Sequence, residues 1–303
     1  MIDYNQKPIR IHKINSHSIA DFINIETEKN IDKETVESFG DEWTKFSSFD
    51  ANELERMGNE YFDLLPAYPI NENSYVLDVG CGTGRWSYYL SSKVKFIEAI
   101  DPSDAVFAAS KFTGGKSNIR ITKAGVDNIP FNDKSFDLVF SLGVLHHIPD
   151  TKGALKKIFE KVKPGKYFIV YLYYSLDNRG ALYKGLFNLS NAIRKIISRM
   201  PKFVKQVLAE VISFVIYLPF VLLARACRSL FPKSDFYKKI PLSYYHNKSL
   251  TVIRNDSLDR FGTPLEKRFS REEINDMLKI AGFDKIVFSE KTPYWHCIAQ
   301  RPL

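Results

Sequence analysis

Between residues 52 and 174 the chain alternates short, nearly continuous apolar runs with stretches whose apolar residues recur every three to four positions. Asn52 to Ala67 opens this pattern as a helix, with Leu54, Met57, Tyr61, Phe62 and Leu65 on one stripe. The runs near 75–79, 95–100, Ile119 to Thr122, Phe136 to Ser141 and Tyr167 to Tyr173 read as buried strands, because strands covered on both faces lose the in–out alternation. Helical stretches fall between them near 85–92, 104–111 and Lys152 to Val162, the last ended by Lys163-Pro164-Gly165. Strands alternating with helices of this length predict an α/β domain with a parallel sheet and right-handed crossovers.

The pattern stops on either side. Residues 1–30 alternate polar and apolar positions and read as an extended arm. The cluster Phe39-Gly40-Asp41-Glu42-Trp43-Thr44-Lys45-Phe46 reads either as an anchor for that arm or as a flap over a ligand. From 175 to about 265 strand–helix alternation is lost. There Ile193, Ile196, Ile197, Met200, Val204, Val207, Leu208 and Val211 keep helical spacing, and Pro201 bends or splits the helix. Val211 to Ala224 then runs 14 residues without a charge. A spanning helix needs about 20 apolar residues, and Pro219 is expected to interrupt this one. Alternation resumes at Ser270, which reads as an N-cap with Glu273 completing a capping box. That helix stops at Ala281-Gly282, and Lys285 to Ser289 and Tyr294 to Gln300 follow as an antiparallel pair. Four segments result: 1–70 as arm and cap helices, 71–174 as core, 175–265 as a helical insertion, and 266–303 completing the core.

The run ending at Val79 passes straight into Gly80-Cys81-Gly82-Thr83-Gly84. Glycines there open unusual backbone angles and let a ligand approach, and the helix behind them points free N–H groups at it. On the glycines alone, a tight turn between strand and helix is the competing reading. The spacing is not the Gly-x-Gly-x-x-Gly of dinucleotide sites. Asp78, two residues before the first glycine, suits a cationic amino group and would repel a pyrophosphate. In open α/β sheets ligands lie beyond the carboxyl ends of the strands, where Gly80, Asp101 and the Ser141–His147 segment are expected.

Leu77-Asp78-Val79-Gly80-Cys81-Gly82-Thr83-Gly84 resembles the first motif of class I S-adenosylmethionine-dependent methyltransferases. Ile100-Asp101 is similar to the strand end that carries the family's ribose-binding acid. Pro130-Phe131, Ser135-Phe136-Asp137-Leu138-Val139 and Val144-Leu145-His146-His147-Ile148-Pro149-Asp150 resemble the small-molecule "type 11" branch, and together these motifs span residues 74–174. The resemblance implies a Rossmann-like seven-stranded sheet, mostly parallel with its last strand antiparallel, interrupted here by a helical insertion after the fifth strand. It implies S-adenosyl-L-methionine as cofactor, held by Asp78, Gly80, Cys81, Gly82, Gly84, Asp101, Pro102, Val126, Asp127, Ser141 and Leu142. In one place the sequence departs from the pattern. Relatives often carry an acid where Gly125 stands, which leaves Val126 to pack on the adenine, and the Gly125–Val126 backbone or Asp127 to read its amino group.

His146 and His147 are candidate bases for a phenol, a sugar hydroxyl or an acidic carbon, or a structural pair beneath the cofactor. Tyr171, Tyr173 and Tyr174 end the fifth strand as acceptor-site candidates, and Tyr244, Tyr245 and His246 join them on position alone. Ser141-Leu142-Gly143-Val144 stands where amino-methylating enzymes carry Asn/Asp-Pro-Pro-Tyr, which disfavours adenine or glutamine as acceptor.

Charge then separates the insertion from the rest. The chain of 303 residues carries +8, yet residues 175–250 alone hold thirteen Lys/Arg against three acids. A basic helix beside an apolar run suits a membrane surface, here over 191–228, or helices that only roof the active site. Nucleic acid fits poorly, because so apolar a segment is no solvated phosphate-tracking face. Three cysteines without metal spacing, and a polar N-terminus without a basic-then-apolar leader, lead us to expect no metal and a cytoplasmic protein, peripheral at the inner face of a membrane if the insertion touches lipid. The expected activity is methyl transfer to a small or lipid-linked acceptor of sugar, quinone or polyprenyl type, with O-methylation favoured. The alternatives are an RNA methyltransferase and a cofactor-binding regulator without turnover.

Overall fold

The computed structural model describes residues 1–14, 17–24, 28–45, 50–177 and 180–303. The chain divides into two compact units, Met1–Asn178 with Leu265–Leu303, and Arg179–Pro264.

The first unit begins with the strands β1 (Arg10–Ile14) and β2 (His17–Asp21), then α1 (Lys33–Lys45) and α2 (Ala51–Tyr61). Asp32 and Asp50 cap these helices by accepting from the amides of Thr35 and Glu53. The core follows as β3 (Tyr75–Val79), α3 (Arg85–Leu90), β4 (Phe96–Asp101), α4 (Ala105–Thr113), β5 (Ile119–Lys123), β6 (Phe136–Leu142), α5 (Thr151–Lys161) and β7 (Val162–Tyr171). Every residue of β4 and β6 is buried, as the unbroken apolar runs require. With β8 (Asp284–Phe288) and β9 (His296–Gln300) near the C-terminus, the sheet order is β1-β2-β5-β4-β3-β6-β7-β9-β8. The strands from β5 to β7 are parallel, and the last strand, β9, runs antiparallel to both β7 and β8.

The sheet has nine strands rather than seven. The segment read as an extended arm forms an antiparallel hairpin, and β2 then pairs in parallel with β5 through Ala20↔Thr122 and Asp21↔Lys123. Ile19 and Phe22 are buried there while Ile9 and Ile11 stay exposed, so the hairpin never shows the continuous apolar run of a central strand. The Lys163-Pro164-Gly165 stop also falls inside β7, where the register against β6 shifts and Gly165 takes φ 73°. Phe46 and the side chains of residues 41–45 lie outside the described residues.

Sheet order reverses at β3, which has β4 on one side and β6 on the other, so the switch point lies at the glycine-rich turn. Beyond β7, Phe269 donates its amide to the Tyr173 carbonyl and accepts from the Ser175 amide, both at 2.9 Å. Those bonds join the chain on its way out of this unit to the chain on its way back. The helix α10 (Arg271–Ala281) carries the Ser270–Glu273 capping box and ends on Gly282 at φ 110°.

The second unit, taken by itself, is helical. It contains α6 (Ala181–Ile197), α7 (Lys202–Ile212), α8 (Leu218–Leu230) and α9 (Leu250–Gly262), packed round Ile197, Tyr217, Val221, Ile253 and Phe261. Pro201 splits α6 from α7. Pro219, in contrast, interrupts nothing. A π turn over Ser213–Tyr217 joins α7 to α8, with the Leu218 amide donating to the Ser213 carbonyl. Widening the turn by one residue accommodates a ring that would strike the preceding carbonyl in a regular α-helix. Lys202–Leu230 is therefore one helix of 29 residues, long and apolar enough to cross a membrane by length and composition alone.

Its burial pattern is unusual. Ala209, Ser213, Tyr217, Val221 and Ala224 form a buried stripe of mostly small residues. Val207, Val211, Phe214, Val215, Leu222 and Leu223 are exposed. The stripe is secured by polar contacts to α9. Ser257 Oγ donates to the Ala209 carbonyl, Tyr217 Oη to Asp256, and Arg254 pairs with both Glu210 oxygens.

Candidate functional site

The glycine-rich turn is held open by backbone geometry. The amides of Gly80 and Cys81 both donate to the Ile100 carbonyl, at 2.8 and 2.9 Å. Gly80, Gly82 and Gly84 take φ 82°, 52° and 75°, the left-handed region that side chains resist. A Cβ on Gly80 would also fall 2.4 Å from a Val144 methyl. Cys81 is buried with its thiol pKa pushed up by burial. Thr83, absent from the sequence-derived site, has its hydroxyl buried with no hydrogen-bond partner among the described residues. Nothing in the motif flagged it beyond its place between two glycines.

Asp101, at the end of β4, braces this turn. One carboxylate oxygen accepts from the Gly82 amide at 2.9 Å, and the other from the Ser103 amide and hydroxyl at 2.8 and 2.6 Å. Burial raises its pKa, and the bonds from Ser103 and Gly82 pull it back. The oxygen that accepts from Gly82 keeps a further lone pair, suited to a ribose hydroxyl. Asp78 is fully buried and accepts from Ser87 Oγ at 2.7 Å, which ties β3 to α3. Burial pushes its pKa up to about 8. Pro102 is half-buried beside Asp101. Ser141 Oγ donates to the Val79 carbonyl at 2.8 Å and links β6 to β3 just below the turn, with Leu142 buried after it.

Beyond β5, Val126 is buried, and Asp127, one candidate for reading the adenine amino group, is already engaged. Its two oxygens accept from the Asn30 amide and side chain, both at 2.7 Å. That contact pins the segment after β2, because Asn30 also accepts from the Asp150 amide. The same segment brings Glu28 beside Gly125, buried, with neither carboxylate oxygen hydrogen-bonded among the described residues. Sequence inspection missed Glu28, since 97 positions separate it from Gly125 and it carries no local motif.

An aromatic wall closes the edge on the β6 and β7 side. Tyr61 lies 4.8 Å from Trp86 and 5.2 Å from Tyr171, while Tyr173 stacks on His146 at 3.8 Å. Tyr174 does not join them. It faces Tyr294 and Trp295 instead, as strand alternation from Tyr173 demands. His146 is fully buried, and burial, His147 and Arg268 hold it well below the usual histidine pKa, hence neutral. Its Nδ1 accepts from the Tyr173 amide, so the ring proton sits on Nε2, making His146 a donor rather than a base. His147 is the reverse case. Its Nδ1 donates to the Leu265 carbonyl at 2.7 Å.

The insertion candidates are committed within their own unit. Tyr245 donates to the buried Asp256 and packs 5.7 Å from Tyr217, and Tyr244 packs on Tyr245. His246 meets Arg228 and the Ser243 carbonyl.

A family model described as a methyltransferase domain matches residues 77–170, which run from the glycine-rich turn through β7. The chain carries a class I methyltransferase domain of the type 11 branch. Its cofactor is S-adenosylmethionine. Among curated relatives, the tRNA U34 carboxymethyltransferase of Nautilia profundicola is 41% identical over 97 residues, which is 31% of this chain and 32% of that protein. A sterol 4-C-methyltransferase of Caenorhabditis elegans is 32% identical over 107 residues, 34% of this chain and 32% of that protein. The chain thus spans about a third of the length of these relatives. Human N-acetylserotonin methyltransferase, at 15% identity and a TM-score of 0.50 over 88% of this chain and 57% of that one, shares the methyltransferase fold.

The residues present fit the cofactor: an open glycine cradle, Asp101 beside it, and the Thr83 hydroxyl and Glu28 carboxylate, partnerless among the described residues. When bound, S-adenosylmethionine supplies a methyl group activated by its sulfonium. The methyltransferase domain contributes alignment and an aromatic wall of Tyr61, Trp86, Tyr171 and Tyr173.

Proposed function

We propose that the whole chain is an S-adenosylmethionine-dependent methyltransferase that works peripherally at the inner, cytoplasmic face of a membrane. Its acceptor is a small or lipid-linked molecule of sugar, quinone or polyprenyl type, and O-methylation is favoured. One observation carries the reading. The Lys202–Leu230 helix turns an apolar face outward while Lys202, Lys205, Arg225 and Arg228 flank its ends. The opposite stripe is occupied by α9 through Asp256, Arg254 and Ser257, so this helix is half of a folded unit. The uncharged stretch between Glu210 and Arg225 covers about 21 Å at ~1.5 Å per residue, short of the ~30 Å hydrocarbon core. A helix of this kind lies in the interface with its cations at the headgroups.

Flotation with phosphatidylglycerol vesicles tests it. Wild type should float, and Val215→Asp/Leu222→Asp/Leu223→Asp should not, with both retaining binding of S-adenosylhomocysteine. Equal behaviour of wild type with and without anionic lipid refutes the membrane reading. Arg194 is unsuited to this test, because it is buried and donates to the Thr263 and Pro264 carbonyls.

RNA is the second reading, favoured by the relatives named for tRNA. It requires transcript binding that weakens steeply with salt, and methyl transfer to RNA rather than to a lipid extract. A regulator without turnover would bind the cofactor and methylate neither.

A further inference from the structure

Glu28 sits where no structural need explains it. Glu28 is 7% exposed, and among the described residues neither of its carboxylate oxygens has a hydrogen-bond partner. Stranding a carboxyl this way costs free energy unless a ligand supplies a donor. Burial, with Asp127 nearby, pushes its pKa up to about 7. Its position is nonetheless fixed, because Asn30, two residues on, is bonded to Asp127 and to the Asp150 amide.

Gly125 makes the room. A Cβ there would lie 2.6 Å from one Glu28 oxygen. Its backbone does not call for glycine, since φ −92° and ψ 169° suit any residue. The absent side chain therefore serves the carboxylate alongside.

Three strand ends order the edge: Gly80 after β3, Asp101 at the end of β4, and Gly125 after β5, with β4 lying between β3 and β5. The Ala124 amide donates to the Asp101 carbonyl, so the second and third positions adjoin. A nucleoside whose ribose meets Asp101 and whose amino-acid tail lies over the glycines extends its base toward β5, where Val126 offers an apolar surface. The donor that an adenine presents there is its exocyclic amino group.

We infer that the segment after the N-terminal hairpin supplies an adenine-reading carboxylate, Glu28, which accepts from the 6-amino group of the cofactor in space left by Gly125. This rests on the cofactor reading above and adds a residue from outside the matched domain.

Calorimetry with S-adenosylhomocysteine and its 6-oxo analogue S-inosylhomocysteine, alongside thermal melts without ligand, tests it. Glu28→Ala should weaken S-adenosylhomocysteine binding about ten- to hundredfold, the loss of one charged hydrogen bond, and should reduce preference over the 6-oxo analogue. It should also raise the melting temperature of the ligand-free protein, because a stranded carboxyl is gone. A structural glutamate would give the opposite sign on that melt. Glu28→Ala/Gly125→Asp, which returns an acid from the other side, should recover binding. Undiminished S-adenosylhomocysteine affinity in Glu28→Ala overturns the assignment and leaves the cofactor site standing. Folded wild type that binds no S-adenosylhomocysteine overturns both.

Discussion

Asp101→Ala separates two jobs that one carboxylate performs. In the folded chain it accepts from the Gly82 amide, the Ser103 amide and the Ser103 hydroxyl, all buried. The hydroxyl can rotate to another acceptor, whereas the two amides cannot. Each buried amide left without an acceptor costs about 1–3 kcal/mol, so the truncation should destabilise by roughly 2–6 kcal/mol before any ligand is considered. At about 2–4 °C per kcal/mol for a body of this size, the ligand-free melt should fall by at least about 4 °C and by up to roughly 24 °C. Asp101→Asn should fall in between, because its amide oxygen still serves Ser103 while its NH2 opposes the Gly82 amide. Differential scanning calorimetry without cofactor is the assay, with S-adenosylhomocysteine titration run separately below the melt. A ligand-free melt within a degree of wild type would show that the carboxylate does not brace the turn, and would leave it a ligand contact alone.

Three further outcomes are expected. Gly80→Ala should destabilise by about 1–2 kcal/mol from its φ of 82°, and further from the Val144 clash; Val144→Ala should restore only the second part in urea melts. Asp78 has a folded pKa of about 8 against an ordinary 3.8. The folded state therefore holds a proton the unfolded state has released, and stability falls as pH rises from about 4 to about 8; Asp78→Asn should flatten that decline in denaturant titrations at pH 5 and pH 8. Arg194→Ala should loosen the second unit, since it frees the Thr263 and Pro264 carbonyls, and hydrogen exchange should rise across α6 and α9 while α10 is unchanged.

How legible each part was in the sequence follows from the distance over which its cause acts. The strands β3, β4 and β6 are buried on both faces, so their apolar runs and the glycines after Val79 declare both the sheet and its switch point. The hairpin β1–β2 escaped because Ile9 and Ile11 are exposed and only β2 reaches β5, which leaves no run to find. Pro219 misled for a different reason. The rule that proline stops a helix assumes α geometry, and the Ser213–Tyr217 π turn removes that assumption. Asp127 stayed a candidate for reading the adenine because its partner, Asn30, stands 97 positions upstream. Tyr174 was grouped with Tyr171 and Tyr173 although strand parity alone would have placed it on the other face.

The two hydrogen bonds between Phe269 and the Tyr173–Ser175 stretch work as a seam. They stitch the sheet-bearing unit shut at the place where the chain departs at Asn178 and is regained at Leu265. Whatever is threaded through that opening is, to the sheet, a loop with its ends already tied. Doubling the length of such a loop adds only about 0.6 kcal/mol of closure entropy. A lineage could therefore exchange the helices between those residues for a shorter strap or a larger domain and keep the glycine turn untouched, so the seam makes the fold a socket.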